Sequence, residues 1–397
     1  MIILQVIFWI CFIALAHTYI FYPLLLKILA GRKKTKSYSE NFKPFISILI
    51  PAYNEEKIIR QKLESIFASD YPKEKLEVIV GSDASTDRTN EIVRTFPNVR
   101  LVEFNGRSGK PKIINQLATL AMNEILILTD ANVMFDKNTI RELAKHFQDE
   151  KIGLVDSNML HLNSQDHGVA KAEGTYIRGE VGIKNNEGKV FGMMMGPFGG
   201  CYAVRKSFYS PVPENFLVDD FFINMKVLEK GGQAISELNA KVFEEVPTDW
   251  KIEFKRKIRI ATGSWQNLFH FLPLLFRFNK LSFCFLSHKV LRWKGPFLMI
   301  GIFITSCLIS YIILYWDIFF SLLIKNTVEI HLIQLFFLFQ VLLLLSVVLN
   351  TFLKLLRINF FITRLVTHFF TTNLALLIGF FKFLGGVRSS VWQPTKR

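Results

Sequence analysis

The chain has 397 residues, half of them hydrophobic, and a formal net charge of +15. That length accommodates one large domain plus further elements, and a mean hydropathy of +0.29 is too apolar for an ordinary soluble enzyme. The positive excess does not point to nucleic acid. Many Lys and Arg flank apolar runs (Lys27 to Lys36, Lys289 to Lys294, Lys354 to Arg364, Lys382 to Arg397), a placement suited to anionic membrane lipids, and no zinc-finger, helix–turn–helix or RNA-binding signature occurs. Four scattered cysteines without metal or disulfide spacing fit a reducing compartment.

Residues 1–27 read as a transmembrane anchor. Ile2 to Leu26 carries no formal charge and is long enough to cross about 30 Å of hydrocarbon. Its basic residues follow the apolar run, so an uncleaved anchor is expected rather than a signal peptide. The positive-inside rule then places a basic linker (28–43) and the domain after it in the cytoplasm, at a plasma (inner) membrane.

The domain, 44–275, opens with three apolar strand-like runs: ISILIPAYNEE (46–56), LEVIVGSDASTD (76–87) and EILILTDAN (124–132). Helix-like stretches separate them, which predicts an α/β domain with a Rossmann-like, mostly parallel sheet. Ligands of such sheets bind outside the carboxyl ends of the strands, where Glu55, Asp83, Asp87 and Asp130 fall. Acids gathered at one edge repel each other unless a cation or a ligand compensates them.

The first run gives a strand, a Pro-ended turn and a helix starting near Glu55. In the second, Ser85, Thr86 and Asp87 have the oxygens of helix caps, which leaves Asp83 at the strand end unexplained by capping. GKPKIINQLA (109–118) starts a helix with Gly109, Lys110 and Lys112, either a phosphate site or a solvated basic helix start. In the third run Asp130 and Asn132 stand two residues apart. In an extended chain both would face one way, toward one hard divalent cation.

PAYNEE, SDASTD, GKPKIINQLA and TDAN, in that order, resemble the inverting nucleotide-sugar glycosyltransferases of family 2 with a GT-A fold. The resemblance continues through PFGGCYAVRK (197–206), similar to that family's Gly-rich acceptor-side strand, FLVDDFFINMKVLEKGG (216–232), similar to its acidic catalytic helix start, and EFKRKIRIATGSW (253–265), similar to its basic segment. It covers roughly 45–270. It implies that Asp83 bonds the nucleotide base in a pocket shaped by Pro51, Tyr53 and Glu55. Lys110, Lys112, Arg256 and Arg259 would address the donor, with Asp130 and Asn132 at an Mg²⁺ or Mn²⁺ ion on the diphosphate. Gly199, Gly200 and Asp219 would face the acceptor, and Asp220 would be the general base.

Such a transfer needs negative charge neutralised on the leaving group and a carboxylate on the opposite face. An unperturbed Asp, with a pKa of about 3.9, would be ionised at neutral pH. Of Asp219 and Asp220, one is expected to cap the helix and the other to face the acceptor. Two positions depart from the family pattern. Asn132 stands where an acid is common, and Arg256 and Ile260 replace the Gln and Trp of a Q-x-x-R-W motif. The second change removes the aromatic platform that would stack a sugar acceptor and leaves that role to Trp265, several residues on.

Beyond the domain lie an amphipathic interface segment (276–295) and two transmembrane helices (296–316 and 330–350). Segment 365–384 is long enough to span, yet basic residues flank it on both sides. It is read as lying in the interface, with a third C-terminal crossing as the alternative. A basic tail follows (385–397), whose VWQPTKR either docks on the domain through Trp392 or stays free. The whole reads as a membrane-bound transferase moving a sugar from a nucleotide donor, UDP-linked, to a saccharide or lipid-linked acceptor in cell-surface polysaccharide synthesis. The alternatives are transfer to a polyprenyl phosphate and a non-catalytic transport or scaffold subunit.

Overall fold

The computed structural model describes residues 1–33, 38, 39, 41–162, 168–245, 250–319, 328–356, 358 and 360–391. Lys34 and Lys36 of the basic linker, the loop around Lys325, and Trp392 with the residues after it lie outside that description.

The anchor is α1 (Ile2–Ala16), a π-turn (His17–Phe21) and α2 (Tyr22–Ala30). The domain then runs β1 (Ile46–Ala52), α3 (Ile59–Phe67), β2 (Leu76–Ser82), α4 (Thr89–Arg94), β3 (Val99–Glu103), α5 (Lys110–Leu120), β4 (Ile125–Thr129), β5 (Val133–Phe135), α6 (Thr139–Ala144), β6 (Ile152–His161), α7 (Gly168–Phe191), β7 (Cys201–Arg205), α8 (Asp219–Glu229), β8 (Gln233–Glu244) and α9 (Trp250–His270). After it come α10 (Lys280–Cys284), a π-turn (Phe285–Val290), α11 (Leu291–Trp293), α12 (Gly295–Phe319), α13 (Val328–Leu355) and α14 (Phe361–Leu384).

The eight strands form one mixed sheet in the order β3-β2-β1-β4-β7-β6-β8-β5. The three predicted runs form β1, β2 and β4, and with β3 they pair in parallel. Direction reverses where β7 pairs antiparallel to β4 and β6, and β6 pairs in parallel with β8, so the sheet is mostly parallel, as expected, with antiparallel pairs at β7 and β5. Strand β1 is buried along its whole length because helices cover both faces. Alternation then sorts its side chains: Ile48 and Ile50 join one core cluster, Leu49 the other.

Among the described residues, four stretches are long and apolar enough to cross a bilayer: Ile2–Ala30, Gly295–Leu314, His331–Leu353 and Phe361–Leu384. The last of these is one continuous helix packed on α9. Segment 276–295 does more than lie along a surface, since Leu281, Cys284, Phe285, Val290 and Trp293 join the core beneath the sheet.

Candidate functional site

At the ends of β1 and β2 the chain turns through two left-handed residues, Asn54 (φ 53) and Ala84 (φ 58). For Ala84 such a conformation costs about 1 kcal/mol or more. Bonds between the two turns hold them. Asn54 Oδ1 accepts the Thr86 N–H (2.8 Å), Thr89 Oγ1 the Glu55 N–H (2.8 Å) and Asp87 Oδ2 the Glu56 N–H (3.0 Å). With 54–56 pinned to the neighbouring loop, α3 starts at Ile59 rather than near Glu55. Of the three predicted caps, Asp87 bonds the start of α4, accepting from Thr89 N–H at 3.0 Å.

Asp83 is 0% exposed. Its Oδ2 accepts from Arg107 Nε and Gly109 N–H, each at 3.1 Å, and its Oδ1 from Ser108 N–H at 2.5 Å. Arg107 in turn lies 3.2 Å from the ring centroid of Tyr53, beside buried Pro51. The strand-end acid therefore fixes the loop that starts α5.

The next residue joins the two halves of the sheet. Lys110 Nζ lies 2.8 Å from Asp130 Oδ1 and 3.6 Å from Asp219 Oδ2. Burial opposes its charge, but Asp130 and then Asp219 hold its pKa above the ordinary lysine value. Lys112 points elsewhere, to Glu214 at 3.6 Å. Asn132 also departs from expectation. The chain turns directly after Thr129, so strand alternation no longer applies, and Asn132 Nδ2 donates to Glu244 Oε1 (2.9 Å) while Asp130 faces Lys110.

On the acceptor side, Asp219 is 6% exposed and its Oδ2 accepts no hydrogen bond. Asp220 is half-buried, and its Oδ1 accepts the Phe221 N–H at 2.7 Å. Gly199 holds φ +87, and a Cβ there would come within 2.4 Å of Asp220 Oδ2. Glycine thus lets the loop press against this carboxylate. Burial, then repulsion from Asp219, pushes the Asp220 pKa up to about 6 against the pull of Lys110. The unperturbed value expected from sequence is corrected accordingly. Tyr202, 1% exposed next to Gly200 and Cys201, has a hydroxyl with no partner, and burial with Asp219 and Asp220 raises its pKa.

The basic segment forms α9. Arg259 Nη1 donates to the Leu217 carbonyl (3.1 Å), bracing the approach to Asp219, whereas Arg256 pairs with Glu253 at 2.8 Å. Trp265 cannot offer a sugar platform: it is 3% exposed and donates from Nε1 to the Leu376 carbonyl of α14 (3.2 Å). Past α14 the chain returns to the domain, where Ser390 Oγ donates to the Glu214 carbonyl at 2.5 Å.

Among the described residues no group of three metal-ligating side chains exists. A divalent ion on a diphosphate needs fewer protein ligands, since phosphate and water oxygens complete its shell. Asp130 and Asp219, whose Oδ2 accepts no hydrogen bond, are the carboxylates available for such an ion, and both already face the Lys110 ammonium, at 2.8 and 3.6 Å.

Sequence reasoning missed Arg107, Lys62, Asp156 and Lys184. Lys62 is 0% exposed and donates to Thr129 Oγ1 (2.8 Å) and the Val133 carbonyl, bracing the turn that carries Asp130. Burial lowers its pKa to about 7. A signal was available, because Ile59, Lys62, Leu63 and Ile66 share one helical face.

The mixed sheet with acids at its strand ends is a fold of the GT-A type. Residues 47–209 match the model of Glycosyl transferase family 2. It is 26% identical over 275 residues to the probable glycosyltransferase YdaM of Bacillus subtilis, covering 62% of each chain. Over 125 residues it is 36% identical to the poly(ribitol-phosphate) β-N-acetylglucosaminyltransferase TarS of Staphylococcus aureus, 30% of this chain and 22% of that one. The match thus spans less than two thirds of either relative. Among solved structures, the mannosyltransferase PcManGT from Pyrobaculum calidifontis, in complex with GDP-Man and Mn²⁺, shares the fold. Its TM-score is 0.68 at 20% identity, over 96% of this chain and 99% of that one.

Proposed function

We propose that the protein is a membrane-bound inverting glycosyltransferase, using Mg²⁺ or Mn²⁺, that moves a sugar from a UDP-linked donor to the hydroxyl of a saccharide or lipid-linked acceptor in cell-surface polysaccharide synthesis. The observation that carries this reading is Lys110 bridging Asp130 and Asp219, with Asp220 beside them. It gathers a cation-binding acid, a phosphate-binding ammonium and a candidate base at one mouth.

Asp130 would hold the divalent ion, which when bound neutralises charge on the departing diphosphate. Pro51, Tyr53, Glu55 and Asp83 would form the nucleotide pocket. Lys110, rather than Lys112, would reach the diphosphate, with Arg259 nearby, since Lys112 faces Glu214 and Arg256 faces Glu253. Asp220 would take the proton of the acceptor hydroxyl, on the face opposite the leaving group, and one in-line displacement inverts the anomeric carbon. Gly199 lets the loop lie against Asp220, whereas Gly200 abuts Met159 and Val133.

The four apolar helices support a multi-pass protein whose domain faces the cytoplasm, where nucleotide sugars are made. Helix α14, packed on α9 of the domain and followed by Ser390 bonded to Glu214 on the same side, favours the interfacial helix over a fourth crossing. The test is a donor screen on full-length protein in detergent, reading nucleoside diphosphate release with and without EDTA. Turnover with a UDP-sugar, lost on chelation and restored by Mn²⁺, is expected; full activity in EDTA refutes the metal role, and silence with every donor refutes catalysis.

A further inference from the structure

We propose that Glu187, buried on α7, is a positioning residue that ties the anchor and the 285–290 turn to the acceptor loop. The proposal rests on the reading of Asp220 as base. Glu187 is 0% exposed, and three donors from distant parts of the chain converge on it. Tyr22 Oη lies 2.7 Å and His288 Nδ1 2.8 Å from its Oε1, while the Met195 N–H donates to its Oε2 at 3.0 Å. One belongs to α2, one to the π-turn, and one opens the loop 195–200.

That loop has no regular ladder of its own, so side chains must fix it. Besides Glu187, Asn224 Nδ2 holds the Met194 carbonyl (2.9 Å). Lys184, one turn before Glu187 on α7, places its Nζ 3.4 Å from the Phe198 ring centroid and 3.7 Å from Asp156 Oδ2. Asp156 Oδ1 accepts the Phe198 N–H at 3.4 Å. The loop is gripped at Met195 and at Phe198, and the next residue, Gly199, is the one that abuts Asp220.

The grip extends into the membrane-side elements. The second ring nitrogen of His288 lies 2.9 Å from Glu180 Oε1, which also receives Lys289 (2.7 Å), and Glu180 Oε2 receives Arg292. Burial opposes the charge of Glu180, yet His288, Lys289 and Arg292 hold its pKa well below the usual carboxylate range. For packing alone, an apolar side chain of similar volume would serve as well as Glu187. A carboxylate whose two oxygens reach the anchor and the loop fixes orientation instead.

The test compares Glu187→Gln and Tyr22→Phe with wild type, all as full-length protein in detergent. Three quantities are read: diphosphate release with the donor found by the screen, the Kd for UDP with Mn²⁺ by calorimetry, and amide exchange across 193–200. For Glu187→Gln turnover is expected to fall about ten- to a hundredfold, the scale of a small misplacement in an active site. UDP affinity stays unchanged and exchange at 193–200 quickens. Tyr22→Phe, far away in the anchor, moves turnover and exchange the same way by less.

Unchanged turnover and exchange in both variants overturns the proposal, as does UDP affinity falling in step with turnover, which marks general loosening. Should Glu187→Gln not fold, Tyr22→Phe decides by the same criteria. A wild type that releases no diphosphate from any donor sinks the functional reading instead, and exchange at 193–200 then still decides whether Glu187 holds the loop.

Discussion

The two halves of the sheet are built on different scales. On the donor side, β1, β2 and β4 place Asp83 and Asp130 at parallel strand ends, and most bonds that stitch the turns carrying them lie within residues 52–135. Only the Asp130 N–H and Asn132 reach out, to Gly200 and Glu244. On the acceptor side, Asp220 depends on contacts that cross the chain: Glu187 with Tyr22 and His288, Arg259 with Leu217, Ser390 with Glu214. On the proposed function, donor recognition would rest mostly on one sheet edge, and acceptor recognition on how the apolar helices seat against the domain.

The largest effects should separate these halves. Asp220→Asn keeps shape but removes the proton acceptor, so kcat should fall about 10²- to 10⁴-fold, the usual contribution of general base catalysis. The Kd for UDP with Mn²⁺ should stay within error. Wild-type-like turnover in that variant, with Asp130→Ala inactive, would favour a phosphate acceptor that needs no base. Asp83→Asn should do the reverse. Its amide would face the Ser108 and Gly109 N–H groups, losing charged hydrogen bonds worth about 1.5–3 kcal/mol, and UDP should bind about ten- to a hundredfold more weakly. Calorimetry on both variants breaks the comparison if each one moves both quantities.

The same division explains what could be read from the sequence. Strand ends are local, so Asp83, Lys110 and Asp130 were legible from an apolar run followed by an acid or a basic helix start. Asn132 points away from Asp130 because β4 had already ended at Thr129, and the period-2 rule was carried three residues past it. Trp265 was misjudged because its partner, Leu376, is 111 residues away on a helix whose packing no local pattern encodes. Glu180 and Glu187 look like ordinary helix acids until folding brings His288 between them.

A smaller effect distinguishes Asp220 by pH. Its pKa is raised to about 6, chiefly by burial and then by Asp219, and a base must be deprotonated. Turnover should therefore be full above that value and fall about tenfold per unit below it, instead of holding down to the ordinary carboxylate range. The sign for stability is the opposite. Between the unfolded value and about 6 the folded state binds the proton more readily, so this residue favours folding increasingly as pH falls through that window. Asp220→Asn should remove both trends, while Asp83→Asn should keep the acid limb of the rate profile.

The smallest expected change in activity tests the seating itself. Helix α14 crosses α9 at Gly379, where an added Cβ would stand 2.6 Å from Ala261 Cβ and 2.8 Å from the Thr262 nitrogen. Neither neighbour is the end of a flexible side chain, so Gly379→Ala must push the helices apart, at about 1–3 kcal/mol. A thermal melt in detergent should shift down by several degrees, with UDP affinity falling less than turnover, because Gly379 itself packs on Ala261 and Thr262 of α9. Turnover should drop modestly, since α9 also carries Arg259 and, through it, the approach to Asp219. If UDP affinity falls and turnover per bound donor does not, the donor half leans on the membrane helices after all, and the contrast between a local and an assembled half is wrong.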